Sequence, residues 1–137
     1  MKHYYKMNCW DYKEAVPWVS VRLIGNTIVE ELGLVDSGAA YCVIHPRIAD
    51  VMKLEFTGTR HVYGLGSQKS ICADTVEIEL VAGDFREKIE FVCLKKEHYP
   101  INAPEVIIGR NFMNKYRIIL DGEQVCIEDK EKLCLKS

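Results

Sequence analysis

One acidic residue stands where a carboxylate could take part in proton transfer. Asp36 directly follows the apolar residues 32–35 and directly precedes Ser37, Gly38 and Ala39. The small residues expose the carboxylate at a tight turn, glycine permits a close approach of other chains, and Ser37 can donate and accept hydrogen bonds beside the acid. Asp, Ser and Gly are also common turn residues, so the tripeptide alone favours an ordinary exit from a strand.

The elements that must position Asp36 are predicted to be strands. Several segments alternate apolar and polar residues with a period of two, which indicates strands with one buried face. Three pairs of such segments flank turn residues and predict hairpins. The pairs are residues 18–23 with 27–35, 75–80 with 88–93, and 117–121 with 124–127.

Helix is sparse in the pattern. Residues 47–54 form a short amphipathic stretch with Pro46 in its first turn, and a second short helix is predicted over residues 110–115. The sequence therefore predicts an all-β fold, mainly β with one or two short helices, in one compact domain.

Length and charge limit the classes of binding partner that we expect. At 137 residues the chain suits one domain, and its 18 Lys plus Arg against 20 Asp plus Glu give a formal net charge of -2. This balance disfavours nucleic acid and membrane surfaces as partners. No apolar run approaches the roughly 20 residues of a membrane span, and the first residues lack a secretion signal, so we expect a cytoplasmic protein.

The six cysteines are interpreted as free thiols. They stand at positions 9, 42, 72, 93, 126 and 134, without a C-x-x-C pair and without a nearby cluster of histidines. An even number would suit disulfides in a secreted protein, but a cytoplasmic location favours reduced thiols. We expect no metal and no cofactor.

Three further segments follow the acidic turn in a recognisable order. Val43 and Ile44 continue the chain beyond the turn, residues 63–67 read Tyr-Gly-Leu-Gly-Ser, and residues 106–111 read Val-Ile-Ile-Gly-Arg-Asn. Each alone has an ordinary explanation as a hairpin tip or a buried strand. Together with Asp36 they resemble the retropepsins, the retroviral-type aspartic proteases, over residues 17 to about 127.

The resemblance implies the architecture. It predicts a closed β-barrel acid-protease fold in which a single lobe pairs as a homodimer, with residues 17–137 as the protease domain and residues 1–16 as an N-terminal extension. The extension could replace the terminal sheet of the family, cover the cleft or pack on the barrel.

One acid per chain makes the pairing necessary for catalysis. In this chemistry one carboxylate activates a water while a neighbouring carboxylic acid protonates the carbonyl oxygen, so that two acids share one proton. Among seven aspartates, only Asp36 is followed by Ser/Thr-Gly. A two-fold homodimer would supply the second copy, with Ser37 bracing the two turns across the axis.

The resemblance also assigns the substrate site. It implies a flap at Tyr63, Gly64, Leu65 and Gly66 that closes over an extended peptide, and a peptide held by main-chain hydrogen bonds with side chains in alternate pockets. Further residues are predicted to line the pockets or support them from the core. They are Ala39, Val43, Leu65, Ile71, Ile107, Ile108 and Gly109.

Ala40 departs from the family pattern, because retroviral members commonly carry an acid there that helps to hold the peptide backbone. A different substrate grip is therefore expected. Two alternatives stay open: a non-catalytic module with the same fold that binds peptides or assembles, and a small β-barrel whose cysteines serve redox or metal chemistry.

Overall fold

The structure, a computed structural model, describes residues 2–6, 8–11, 14–63, 69–99, 102–121 and 124–130. The strands are β1 (Lys2–Lys6), β2 (Asn8–Asp11), β3 (Glu14–Val16), β4 (Trp18–Ile24), β5 (Ile28–Val35), β6 (Cys42–Ile44), β7 (Gly58–Tyr63), β8 (Ser70–Ala82), β9 (Phe85–Cys93), β10 (Val106–Ile108), β11 (Tyr116–Asp121) and β12 (Gln124–Asp129). The helices are α1 (Pro46–Met52) and α2 (Arg110–Met113), and a 3-10 turn covers Lys96–His98.

Six strands close a barrel. Their order is β4, β5, β10, β6, β9 and β8, and β8 pairs back onto β4. Within the barrel β10 runs parallel to β5 and antiparallel to β6, and β6 runs parallel to β9. Strand β7 pairs with the first part of β8 outside this ring. The predicted all-β class with a closed barrel is confirmed.

The three predicted hairpins are β4–β5, β8–β9 and β11–β12. Strand β4 shows why the period-two pattern was informative: Val19, Val21 and Leu23 face the core while Ser20 and Arg22 face solvent. Strand β8 is much longer than its predicted 75–80 core, because its first residues pair with β7 instead of β9.

Both short helices are present, and each ends about two residues before its predicted end. Helix α1 starts at Pro46 after an N-cap at His45, whose Nδ1 accepts a hydrogen bond from the backbone N–H of Arg47 at 3.0 Å. It ends because Lys53 adopts a left-handed conformation with φ of 53°.

The barrel interior is a continuous apolar core. Phe91, Leu23 and Ile78 are almost completely buried inside the ring, and Phe112 of α2 closes one end of it. Phe112 and Phe85 both contact the Tyr116 ring, with ring centroids 5.0 Å and 4.6 Å apart. Packing therefore ties the second helix, which follows β10, to the barrel.

The N-terminal residues join the far end of the chain. Strand β1 pairs antiparallel with β12, so that β1, β12 and β11 form a three-stranded sheet, and β2 pairs with β3. The residues predicted to be an extension thus extend the C-terminal hairpin of their own chain; the domain boundary at residue 17 stays a prediction. Within the described ranges, no helix has the length and hydrophobicity that crossing a bilayer takes.

A pair of substitutions in the first hairpin tests this packing. Leu23 is 0% exposed and Ile28 is 62% exposed, although both belong to the same pair of strands. We expect Leu23→Ala to lower the free energy of unfolding by about 2–5 kcal/mol through the cavity it leaves. Ile28→Ala should change it by less than about 0.5 kcal/mol. Urea unfolding at one fixed protein concentration measures both, and similar losses would contradict the assigned burial.

Candidate active site

The acidic turn follows β5 and closes on itself. The backbone N–H of Gly38 donates to Asp36 Oδ1 at 2.9 Å, and the N–H of Ala39 donates to the Asp36 carbonyl at 3.2 Å. The Asp36 side chain is half-buried, while Ser37 and Gly38 are exposed. One carboxylate oxygen is therefore fixed by its own turn, and the group remains accessible at the surface.

Backbone hydrogen bonds fasten this turn to β10 and α2. The N–H of Asp36 donates to the Ile108 carbonyl at 3.0 Å. In return, the N–H groups of Arg110 and Asn111 donate to the carbonyls of Ala39 and Ala40 at 2.7 and 3.1 Å. The first N–H groups of a helix have no partners inside the helix. Here they donate hydrogen bonds to the segment of residues 36–41, which we call the active-site loop.

Gly109 makes this contact possible. A Cβ atom at this position would lie 2.4 Å from the Tyr41 carbonyl oxygen and 2.9 Å from that of Ala39. Both obstacles are backbone atoms, which cannot rotate away as a side chain can. Only glycine lets α2 lie directly against the loop. This gives a physical reason for the supporting role predicted for Gly109.

Asn111 braces the loop through its side chain. Its Oδ1 accepts a hydrogen bond from the Cys42 N–H at 2.9 Å, and its Nδ2 donates to the Glu90 carbonyl at 2.7 Å. The side-chain amide of Asn111 therefore joins β9 to the loop that follows the acidic turn. The sequence gives no sign of this role for Asn111, because both of its partners are distant along the chain.

Ile108 lies in the core behind the site. It was predicted to line a pocket or to support one from the core, and its side chain is 1% exposed and packs in the core, not in a pocket wall. Alternate residues of a strand face opposite sides, and Ile107 between two buried neighbours faces outward. Gly33 on β5 leaves room for Ile108, since a Cβ there would lie 2.9 Å from its Cγ1.

A cleft of about 420 Å³ lies beside the turn. It is bordered by the active-site loop, by the paired strands β7 and β8, which we call the arms, and by the chain after β9. The lining residues are Gly38, Ala39, Ala40, Tyr41, Val43, His61, Val62, Tyr63, Ile71, Val92, Leu94 and His98. Such a concave, mainly apolar surface with a few polar groups is typical of a ligand site.

The cleft brings together some of the predicted pocket and flap residues. Ala39, Val43 and Ile71 line it, and so does Tyr63 at the end of β7, which is 73% exposed. The predicted flap residues Gly64, Leu65 and Gly66 lie outside the described residues. The role of Tyr63 as part of a flap stays a prediction.

Several lining residues were missed by the sequence analysis. Tyr41, His61 and His98 stand in unremarkable sequence surroundings, and only the pairing of the strands brings them to one cleft. Alternation along β7 and β9 could have indicated which side chains share a face with Ile71, but it could not show that this face meets the active-site loop.

An arginine joins the arm β7 to the loop. Arg60 makes a bidentate pair with the Glu90 carboxylate, and its guanidinium carbon lies 4.6 Å from the centroid of the Tyr41 ring. The arrangement combines an ion pair with a cation–π contact. It holds Tyr41, one of the lining residues, between the arm and the strand β9.

The thiols near the site are not suited to nucleophilic chemistry. Burial raises the pKa of Cys42 to about 12 and that of Cys93 to about 11. Both thiols therefore stay protonated near neutral pH, whereas the thiolate is the reactive form. Among the side chains that the structure describes, no group of three or more His, Cys, Asp or Glu residues is placed to hold a metal ion.

The closed barrel with a single Asp-Ser-Gly turn defines a retropepsin-like class of protein. A family model described as retroviral aspartyl protease matches residues 13–121. The chain belongs to this family. A crystal structure of a retropepsin-like aspartic protease from Rickettsia conorii superposes with a TM-score of 0.67 at 13% sequence identity, covering 93% of this chain and 89% of that chain. A search of curated protein sequences finds no significant match.

The close contact at Gly109 gives a sharp prediction. We expect Gly109→Ala to lower the free energy of unfolding by about 3 kcal/mol or more, because its new methyl group meets fixed backbone atoms. Gly33→Ala is the matched control: its methyl group meets side-chain atoms of Ile108, which can shift where backbone atoms cannot, and the expected loss is about 1–2 kcal/mol. Urea unfolding compares the two. A Gly109→Ala protein as stable as the parent would refute the fixed contact.

Proposed function

We propose that the protein is an aspartic endopeptidase that hydrolyses peptide bonds between two Asp36 carboxylates of a homodimer. The observation that carries the proposal is the Asp36 turn itself. It is braced by α2 and half-buried at the edge of an apolar cleft, and the sequence has no second Asp-Ser/Thr-Gly. Membership of the retroviral aspartyl protease family supports the same reaction.

The mechanism needs the two carboxylates to act differently. Two carboxylates at close range repel each other when both are charged, so that a pair retains one proton over a range of pH. The ionised member takes a proton from a water, which attacks the peptide carbonyl carbon. The protonated member gives its proton to the carbonyl oxygen. When the tetrahedral intermediate collapses, the carboxyl group that took the proton of water passes it to the leaving nitrogen, a hydroxyl proton of the intermediate returns to the other carboxylate, and the C–N bond breaks.

The contributions of the other residues follow from their places. The hydrogen bond from the Gly38 N–H orients Asp36 before substrate arrives. Ser37 is exposed beside Asp36, and in the proposed dimer it forms hydrogen bonds across the two-fold axis. The arms β7 and β8 border the cleft and serve as the base of a flap over an extended peptide. A cytoplasmic location stays a prediction.

Replacement of the acid tests the reaction. We expect Asp36→Asn to lower cleavage of a mixed peptide library at least about 100-fold between roughly pH 4 and 7, because an amide cannot activate water or share a proton. Mass spectrometry of the products measures the cleavage. Asp50→Asn, the same chemical change on the exposed face of α1, is the matched control and should cleave like the parent.

Analytical ultracentrifugation of the parent and of the Asp36→Asn protein tests whether the chain forms a dimer. The proposal requires a dimer at the concentrations at which cleavage occurs. An Asp36→Asn protein that cleaves as well as the parent would refute the catalytic role. Folded parent protein that binds peptides but cuts none would instead favour the binding module.

A further inference from the structure

The three-stranded sheet of β1, β12 and β11 has two edges. Strand β12 lies in the middle, and among the described residues β11 pairs with β12 alone. Alternate residues of an edge strand point their N–H and C=O groups away from the neighbouring strand, and these groups can bind a further strand. The outer edge of β11 is therefore open to a strand that none of the described strands supplies.

The sequence of β11 is complementary to a second copy of itself. Arg117 and Asp121 carry opposite charges, and the three residues between them are apolar. A two-fold axis makes the paired strands antiparallel. When the axis passes at Ile119, each Arg117 stands opposite Asp121 of the second copy, and each Ile118 stands opposite Leu120. Registers centred on Ile118 or Leu120 place a charged residue opposite Ile119 instead, whereas opposite charges across strands stabilise a sheet.

The exposure of these side chains fits such a pairing. Leu120 is 59% exposed, whereas Ile118 on the same face of β11 packs against the barrel core. In the paired strands each Leu120 would contact Ile118 of the other copy and leave water. Arg117 and Asp121 are exposed. Arg117 lies 3.9 Å from Glu128 of its own chain, and its guanidinium has donors enough for a second carboxylate.

The opposite edge of the sheet is less suited to a second copy. Strand β1 begins at Lys2 and ends at Lys6. Antiparallel pairing of β1 with its own copy, centred on the middle residue, would place these like charges opposite each other, which destabilises a sheet. Of the two edges, β11 is the one that the charges favour.

Strand β11 and the acidic turn lie in the same part of the barrel. The strand follows α2, whose first N–H groups donate hydrogen bonds to the active-site loop. Ile118 and Val35, the residue before Asp36, line the same small cavity in the core. A dimer with one shared active site needs this proximity, because a single two-fold axis must relate both β11 strands and both Asp36 turns.

We propose that a second copy of the chain binds along the outer edge of β11, with the two-fold axis at Ile119 and ion pairs between Arg117 of each copy and Asp121 of the other. The two three-stranded sheets then form one continuous sheet, and each copy supplies the carboxylate that the other lacks. The inference rests on the proposed endopeptidase function and adds the surface through which its two chains pair.

Two charge reversals test the pairing. In homodimers of the Arg117→Asp protein or of the Asp121→Arg protein, like charges face each other at both ends of the paired segment. We expect the Kd of each homodimer, measured by analytical ultracentrifugation, to rise at least about tenfold. When the two variants are mixed, opposite charges face each other again. We expect the Kd and the cleavage of the mixed peptide library to return to within about threefold of the parent, which also shows that both variants fold.

A control variant carries the same reversal elsewhere. Lys88→Asp replaces a positive by a negative charge at an exposed position of β9. It should change neither the Kd nor the cleavage.

Leu120→Ala is an independent test of the same surface. We expect it to raise the Kd about tenfold, because each copy then buries less apolar surface on pairing. Ile28→Ala is its matched control, since Ile28 is 62% exposed, similar to Leu120, and lies on β5. The Kd of the Ile28→Ala protein should equal that of the parent.

The outcomes distinguish the interface from the reaction. A Kd that neither charge reversal changes overturns the interface even if the library is cut, whether the chain's own residues 131–137 or a peptide binds the edge of β11. Weakening that mixing does not reverse overturns the register that places Arg117 opposite Asp121. Dimers restored by mixing, together with a parent that cuts no peptide, keep the interface and refute the endopeptidase. A parent that stays monomeric while it cleaves overturns both.

Discussion

The contact between Gly109 and the active-site loop is the constraint on which the site depends. The loop after β5 has little side-chain mass of its own, and Ser37 to Ala40 could not hold a fixed shape by packing. Its shape is fixed by hydrogen bonds with the backbone of residues 108–111. Those bonds form only because the absence of a Cβ at Gly109 brings the two backbones together. The turn is therefore rigid because it is hydrogen-bonded to a segment whose neighbours Ile108 and Phe112 are buried in the barrel core.

This source of rigidity suits the chemistry proposed for Asp36. Two carboxylates share a proton only when they are held close together, and an error of an ångström in either would weaken proton transfer. A protomer that supplies one carboxylate must define its position before pairing. Backbone hydrogen bonds fix the position of the carboxylate better than flexible side chains would, because the backbone has few other conformations once β5, β10 and α2 are packed. The cleft border needs no such precision, and it includes exposed residues of β7 and of the turn after β9.

Local pattern predicted the hairpins of the fold and the acidic turn of the site. Alternation along β4 and β9 reports which residues are buried whatever their partners are, and Asp36-Ser37-Gly38 is contiguous. The remaining features depend on partners distant in sequence. The three residues of β10 carry no sign that they lie between β5 and β6, and Asn111 gains its role only where Cys42 and Glu90 meet it. The same limit explains Ile108: the sequence showed an apolar segment, and the face of each residue was decided by the barrel.

The net charge illustrates a related limit of composition. A formal charge of -2 summed over the chain predicts a weak long-range field, but exposed charges are screened over about 8 Å at physiological ionic strength. A peptide in the cleft therefore responds to the groups within that distance and not to the total. Around the cleft those groups include Asp36 at its edge, the ion pair of Arg60 with Glu90, and the neighbours Glu97 and His98, so charges of both signs lie beside it. An extended peptide would follow the cleft past several of these groups in turn, so its charge pattern matters more than the overall charge of either molecule.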